Sequence, residues 1–139
     1  MRLSGKVYRD GKLWLVEIPI LDAMTQGRTR KEAYAMAVDL VEGLVNRPGF
    51  KVFVYPTRNG DFEIGVSDTK YLIALVLRRQ RQASGLSLAQ VARRLGARSR
   101  NTYARYEQAA AVPTVERFFE LLGAVSDGRD FVLRKSSAA

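Results

Sequence analysis

The chain has no cysteine and no histidine. The first absence excludes a disulfide scaffold, thiolate metal sites and cysteine nucleophiles. The second removes the side chain that titrates near neutral pH and is the commonest transition-metal ligand. Ser/His/Asp and Cys/His machineries are therefore excluded. No apolar run approaches the roughly 18 residues that a membrane-spanning helix needs. The opening Met1-Arg2-Leu3-Ser4 lacks the apolar stretch of a signal peptide. These absences predict a cytoplasmic protein with no membrane partner, no metal and no cofactor.

What is present is enough for a packed core. Hydrophobic residues make up 47% and charged residues 27% of 139 residues, which is one ordinary domain or two very small ones. Lys and Arg number 23 against 14 for Asp and Glu, a net charge of +9. The excess is uneven. Residues 1–67 carry ten basic and eight acidic side chains, and residues 68–139 carry thirteen and six. Between Tyr71 and Tyr106 lie eight arginines and no acid: Arg78, Arg79, Arg81, Arg93, Arg94, Arg98, Arg100 and Arg105. A near-neutral half followed by a basic half predicts two modules, the second facing a polyanion. Arginine in place of lysine favours nucleic acid, because the planar guanidinium meets phosphate and guanine in a bidentate way. The bland alternative is a solvated, solubilising face.

The pattern along the chain agrees with two modules. Residues 6–9 and 13–18 are strand-like, and Asp10-Gly11 between them signals a tight hairpin. In the second run Leu13 and Leu15 face one way, and Trp14, Val16 and Ile18 the other. Both faces are apolar, so cover is expected on both. Residues 19–27 read as a loop. Thr29 with Glu32 forms a capping box, and Ala33, Ala37, Leu40, Val41 and Leu44 recur at helical spacing until Pro48-Gly49. Residues 52–55 and 62–66 are two further strands. The first half is thus β-β-α-β-β, a small sheet with one packed helix.

From Ser67 the period becomes helical. Residues 71–77 are seven apolar residues in a row, expected at a domain contact or a dimer seam. Ser87 with Gln90 makes a second capping box, and Gly96 ends that short helix. Residues 100–107 form the next helix, with Ser99 as N-cap. Pro113-Thr114 starts the last one, with Val115, Phe118, Phe119, Leu122 and Val125 as its apolar stripe. The small, polar tail from Arg134 is expected to fray. The fold class is α+β, with domains at 1–67 and 68–139.

Short helices with Gly-bearing connections and arginine around the third make a helix-turn-helix pattern. The stretch from Arg81 through Gly85, Val91-Ala92 and Leu95-Gly96, then Tyr103, Tyr106 and Glu107, then Pro113-Thr114, resembles the Cro/C1-type (XRE) repressor domain. The resemblance covers residues 72–125. It implies that the third helix enters the major groove of DNA. Arg100, Asn101 and Thr102 would then read bases, and Ser87, Gln90, Arg98 and Arg105 would hold phosphates. Arginine can bind guanine, and asparagine adenine, through paired hydrogen bonds. Tyr103 and Tyr106 would be the buried pair, and Arg81 would pair with Glu107 between the first and third helices. Three features depart from the family pattern. Leu88 stands where a phosphate-gripping Gln is common, Ala109-Ala110 stand where Gly and a basic residue are preferred, and one residue is added at Ala97-Arg98.

Residues 17–33, Glu-Ile-Pro-Ile-Leu-Asp-Ala-Met-Thr-Gln-Gly-Arg-Thr-Arg-Lys-Glu-Ala, resemble HicB antitoxins. The shared features are a Pro after the second strand and a Gly-x-Thr lead into an Ala-rich helix. This resemblance implies a partial ribonuclease-H-like domain that neutralises a HicA-type ribonuclease toxin. The attached helix-turn-helix would repress the protein's own operon at an inverted-repeat operator, as a homodimer or higher homo-oligomer. Both activities are binding, not catalysis.

Two other classes remain open. One is a free-standing helix-turn-helix regulator whose first half dimerises or senses a ligand. The other is a Mg²⁺-dependent nuclease, which needs clustered carboxylates. Its candidates are Asp10, Glu17, Asp22, Asp39, Glu42, Asp61 and Glu63, read as solvated surface charge except for Glu17 in an apolar strand.

Overall fold

A computed structural model describes residues 1–138. The chain divides into two compact units. One is Met1–Thr69 together with Arg134–Ala139, and the other is Lys70–Leu133.

The first unit opens with the hairpin of β1 (Leu3–Asp10) and β2 (Leu13–Ile18), turning at Gly11 with φ 61°. The expected loop at 19–27 is instead a 3-10 turn (Pro19–Leu21) and a strand, β3 (Ala23–Gly27). Asp22, at φ 47°, reverses the chain so that Ala23 pairs with Ile18 and Gly27 with Trp14. Thr25 is the strand's one β-branched residue, so pairing on β2 and not propensity makes it a strand. Helix α1 (Arg30–Val45) follows, capped by Thr29 Oγ1, which accepts from the Glu32 amide. It ends at Asn46 in the left-handed region, two residues before Pro48. Then come β4 (Val52–Pro56) and β5 (Phe62–Val66). The sheet order is β3-β2-β1-β5-β4, antiparallel throughout. The α+β class stands, with β-β-β-α-β-β in place of β-β-α-β-β.

One sheet face packs on α1. It buries Leu3, Val7, Val16, Ile18, Val52, Phe62 and Ile64 against Ala33, Ala37 and Val41. Small helix residues let the backbones approach. A Cβ on Gly27 would sit 2.4 Å from the Ala33 amide nitrogen, so this crossing tolerates only glycine. Gly5 serves the same face differently, because the Phe62 ring lies where its Cβ would be. The opposite face is not covered by α1. On it Leu13 and Leu15 are half-exposed, and Tyr8, Met24 and Phe53 are 40%, 57% and 46% exposed.

The tail does not fray. It returns to the uncovered face of the first unit, where Ala138 bridges to Thr57 and Ser137 donates its amide to Glu63. The physical reason is Glu63 itself. Its carboxylate lies mid-sheet on β5, 3% exposed, and a buried carboxylate requires donors that the tail supplies. Residues 134–138 therefore belong with the first unit and not with the domain at 68–139.

The second unit contains α2 (Thr69–Ala83), whose first residue belongs to the first unit, α3 (Leu88–Arg94), α4 (Asn101–Glu107) and α5 (Val115–Val125). Of the apolar run 71–77, Leu72, Ala74, Leu75, Val76 and Leu77 are buried. The core continues through Val91, Ala92, Tyr103, Ala104, Leu121, Leu122 and Val125. The stripe expected on α5 holds at Leu122 and Val125 and fails at its start. Leu121 and Ala124 are buried, whereas Val115 and Phe119 are 72% and 51% exposed. No helix among the described residues is long and apolar enough to cross a membrane.

Candidate nucleic-acid interface

The helix-turn-helix is set by its caps. Ser87 Oγ accepts from the Gln90 amide, and Gln90 Oε1 accepts from the Ser87 amide. This is the reciprocal capping box that the spacing predicts. It engages one acceptor on each side chain and leaves the Ser87 hydroxyl and the Gln90 amide group able to donate outward. Helix α3 closes when Gly96 adopts φ 73° and Ala97 donates to the Ala92 carbonyl at 2.9 Å. The chain then passes Arg98, Ser99 and Arg100, all exposed, before α4 begins at Asn101. Ser99 Oγ accepts from the Asn101 amide at 3.2 Å, but the N-cap position is Arg100, whose side chain makes no capping hydrogen bond, so the expected Ser99 cap is displaced by one residue.

One side of α4 is locked. Tyr103 is fully buried and Ala104 nearly so. Arg81, at the end of α2, grips Glu107 with both ends of its fork, Nε to Oε1 at 2.6 Å and Nη2 to Oε2 at 3.1 Å. Its remaining nitrogen donates to the Leu86 carbonyl at 2.9 Å. The Tyr103 hydroxyl donates to Glu107 Oε1 at 2.8 Å. The expected Arg81–Glu107 pair is thus a three-residue network that also holds the α2–α3 connection. Burial, and then the Glu107 charge, push the Tyr103 phenol far above its ordinary value, so it stays a donor. The hydrogen bond to Glu107 raises the Arg81 value. The phenol as a third member was invisible in the sequence, where the tyrosine reads only as apolar bulk.

Tyr106, expected beside Tyr103 in the core, is only half-buried. Nearby Arg117 pairs with Glu120 at 2.7 Å. The end of α4 matters as well. Ala109 stands at φ 55° while Ala110 donates to the Arg105 carbonyl at 2.9 Å. That is the conformation of Gly96 after α3, here forced on a residue with a Cβ.

The other side of α4 is open. Asn101, Thr102 and Arg105 are exposed, as are Arg98 and Arg100 just before them. Among the described residues, nothing pairs with the guanidinium groups of Arg98, Arg100 or Arg105. The expected base readers Arg100, Asn101 and Thr102 are thus all exposed, as is Arg105. Ser87 and Gln90 lie at the start of the neighbouring helix. Other arginines of the basic stretch are engaged within the unit. Arg94 donates to the Ala124 carbonyl at 3.2 Å, at the C-terminal end of α5, and Arg79 reaches Gln82.

The carboxylates of the nuclease alternative are dispersed. Glu17 accepts from the Tyr8 hydroxyl at 2.6 Å, Glu42 from the Val52 amide at 3.1 Å, and Glu63 from the tail. No group of three or more acids able to hold a metal occurs among the described residues.

No curated protein matches the chain. Residues 72–131 match the family model of a helix-turn-helix domain, and the match includes both α3 and α4.

Proposed function

We propose that the protein is a transcription regulator whose α4 reads a DNA major groove, and that its first unit is a HicB-like antitoxin module for a HicA-type toxin. One observation carries the DNA reading. Helix α4 has one side fixed by Arg81, Tyr103 and Glu107, and the other side presents Arg100, Asn101, Thr102 and Arg105 to solvent. A rigid helix with free guanidinium and amide groups is what base-edge recognition requires. Arg100, Asn101 and Thr102 contact bases. Arg98, Arg105, Ser87 and Gln90 contact phosphates. The protein works in the cytoplasm as a homodimer on an inverted repeat, by binding and without catalysis.

The toxin reading rests on the resemblance of residues 17–33 to HicB antitoxins. The uncovered sheet face, with Tyr8, Met24 and Phe53 exposed, offers a surface for a protein partner. The same face supports the alternative, a regulator whose first unit dimerises. Affinity capture of the untagged operon products with the full chain separates the two. Recovery of a small basic protein from the neighbouring gene supports the antitoxin. Recovery of the chain alone, with an intact inverted-repeat complex in gel shifts, leaves the free-standing regulator. Binding without catalysis is checked by incubating RNA and DNA with Mg²⁺ or Mn²⁺. Cleavage that is lost in Glu17→Gln or Asp22→Asn would establish a nuclease instead.

A further inference from the structure

The tail site on the first unit has the construction of a receptor and its ligand. On the receptor side, Glu63 projects from β5 away from α1, and Arg2 lies 3.6 Å above the Tyr55 ring with Nη1 3.3 Å from Glu63 Oε1. Ser4 stands across from Glu63 on β1. Glu63, Tyr55 and Ser4 sit on paired strands and are fixed by the sheet, and Arg2 immediately precedes β1. On the ligand side is a segment with no helix and no regular strand. Arg134 donates to Ser4 Oγ at 2.7 Å and lies 3.6 Å from Glu63 Oε2. The Ser136 hydroxyl donates to Glu63 Oε1, and the Ser137 amide donates to Oε2 at 3.0 Å. Both carboxylate oxygens are thereby filled. A cavity of about 330 Å³ continues beside the segment, lined by Lys6, Asn59, Asp61 and Phe62 among others.

We infer that the outer sheet face around Glu63 is a recognition site for an extended peptide carrying an arginine and, two residues on, a serine, and that residues 134–138 are its resident occupant. The chemistry specifies the ligand. Glu63 takes a guanidinium, a hydroxyl and a backbone amide at once, and Ser4 accepts the second arm of the guanidinium. Nothing in these contacts requires the peptide to belong to the same molecule. A basic, serine-bearing segment of a second protein meets the same groups, provided that it displaces the tail. The eight residues between α5 and Arg134 form a short tether with no helix or strand. Such a tether gives an effective concentration on the order of millimolar. Tail occupancy of about nine-tenths then requires only a modest intrinsic affinity, a Kd of about 0.1 mM.

The test uses the full chain and a fluorescein-labelled peptide of residues 131–138. A tail-released chain carries Arg134→Ala and Ser136→Asp. These substitutions remove the guanidinium and set a second carboxylate against Glu63. Fluorescence anisotropy should show the peptide binding the released chain at least tenfold tighter than the unaltered chain, whose site is filled. Arg134→Ala within the peptide, or Glu63→Gln added to the released chain, should each weaken binding at least tenfold. Equal binding to both chains, indifference to those two changes, or no binding at 1 mM peptide would overturn the assignment. Hydrogen exchange on the unaltered chain is a check that needs no variant. The Ser137 amide should be protected while the Lys135 amide exchanges at the rate of an unstructured chain, and an unprotected Ser137 amide would refute the contact.

Discussion

Arg81 and Glu107, 26 residues apart, form a two-pronged ion pair with contacts of 2.6 and 3.1 Å, and their side chains are only 15% and 7% exposed. Pairs this buried contribute through what their loss leaves behind. Removing one partner strands a charge in a low-dielectric interior. Arg81→Ala should therefore destabilise the second unit by about 3 kcal/mol, seen as a lowered thermal midpoint. Tyr103→Phe should cost less, about 1 kcal/mol, because Glu107 keeps its guanidinium. Equal losses from the two substitutions would mean that the phenol, and not the ion pair, holds α4.

Ala109 offers the opposite sign. At φ 55° it occupies the left-handed region, where a Cβ costs about 1–2 kcal/mol. Glycine removes that cost but gains freedom in the unfolded chain. Ala109→Gly should stabilise the protein by about 1 kcal/mol net, measured by denaturant midpoint at unchanged slope. The substitution touches no exposed arginine, so DNA affinity should stay constant. A destabilised variant would show that the turn after α4 is not left-handed in solution.

Glu63 gives a pH dependence. The Ser136 hydroxyl, and after it the Ser137 amide, Arg2 and Arg134, hold its carboxyl below the ordinary 4.5, against the opposing effect of burial. A carboxylate depressed in the folded state stabilises fully above its unfolded value. That contribution is lost as pH falls through the lower, folded value. Tail protection and first-unit stability should thus be level from pH 7 down to about 5, then decline. In Glu63→Gln that portion of the acid loss should vanish. A variant and parent with parallel pH profiles would show that Glu63 is not the group responsible.

These features were unequally legible in the sequence. The hairpin at Asp10-Gly11, the Ser87–Gln90 box and the Arg81–Glu107 pair follow from local spacing or a family pattern, and each appears in the structure. Strand β3 does not follow, because Ala23–Gly27 has little strand propensity and is recruited by the free edge of β2. Glu63 reads as surface charge until the tail, more than 70 residues later, is known to cover it. Val115 and Phe119 fit a helical stripe by spacing, yet they are exposed, and Leu121 and Ala124 join the expected Leu122 and Val125 in the core. Of the interface, the sequence shows which residues bracket α4, while the structure adds which guanidinium groups are left without partners.

The open side of α4 makes the sharpest prediction about DNA. Arg100 immediately precedes α4 and Asn101 opens it, at the end where a recognition helix meets base edges. Replacing either with Ala should cost about 1–3 kcal/mol on the preferred site and relax preference at one base position. Arg98 and Arg105 should act differently, because phosphate contacts carry no sequence information. Their loss should weaken preferred and scrambled DNA alike and reduce the salt slope by about 1 for each contact removed. In a dimer the two α4 helices should fall about 34 Å apart, one turn of B-DNA, so the preferred site should be an inverted repeat. Selection from random duplexes with the full chain, followed by anisotropy over a salt series, measures all three effects. If Arg100→Ala and Asn101→Ala leave the ratio of preferred to scrambled affinity unchanged, another part of the helix reads the bases. The extra residue at Ala97-Arg98 would then be the cause, since it lies in the turn between α3 and α4 and resets where α4 begins.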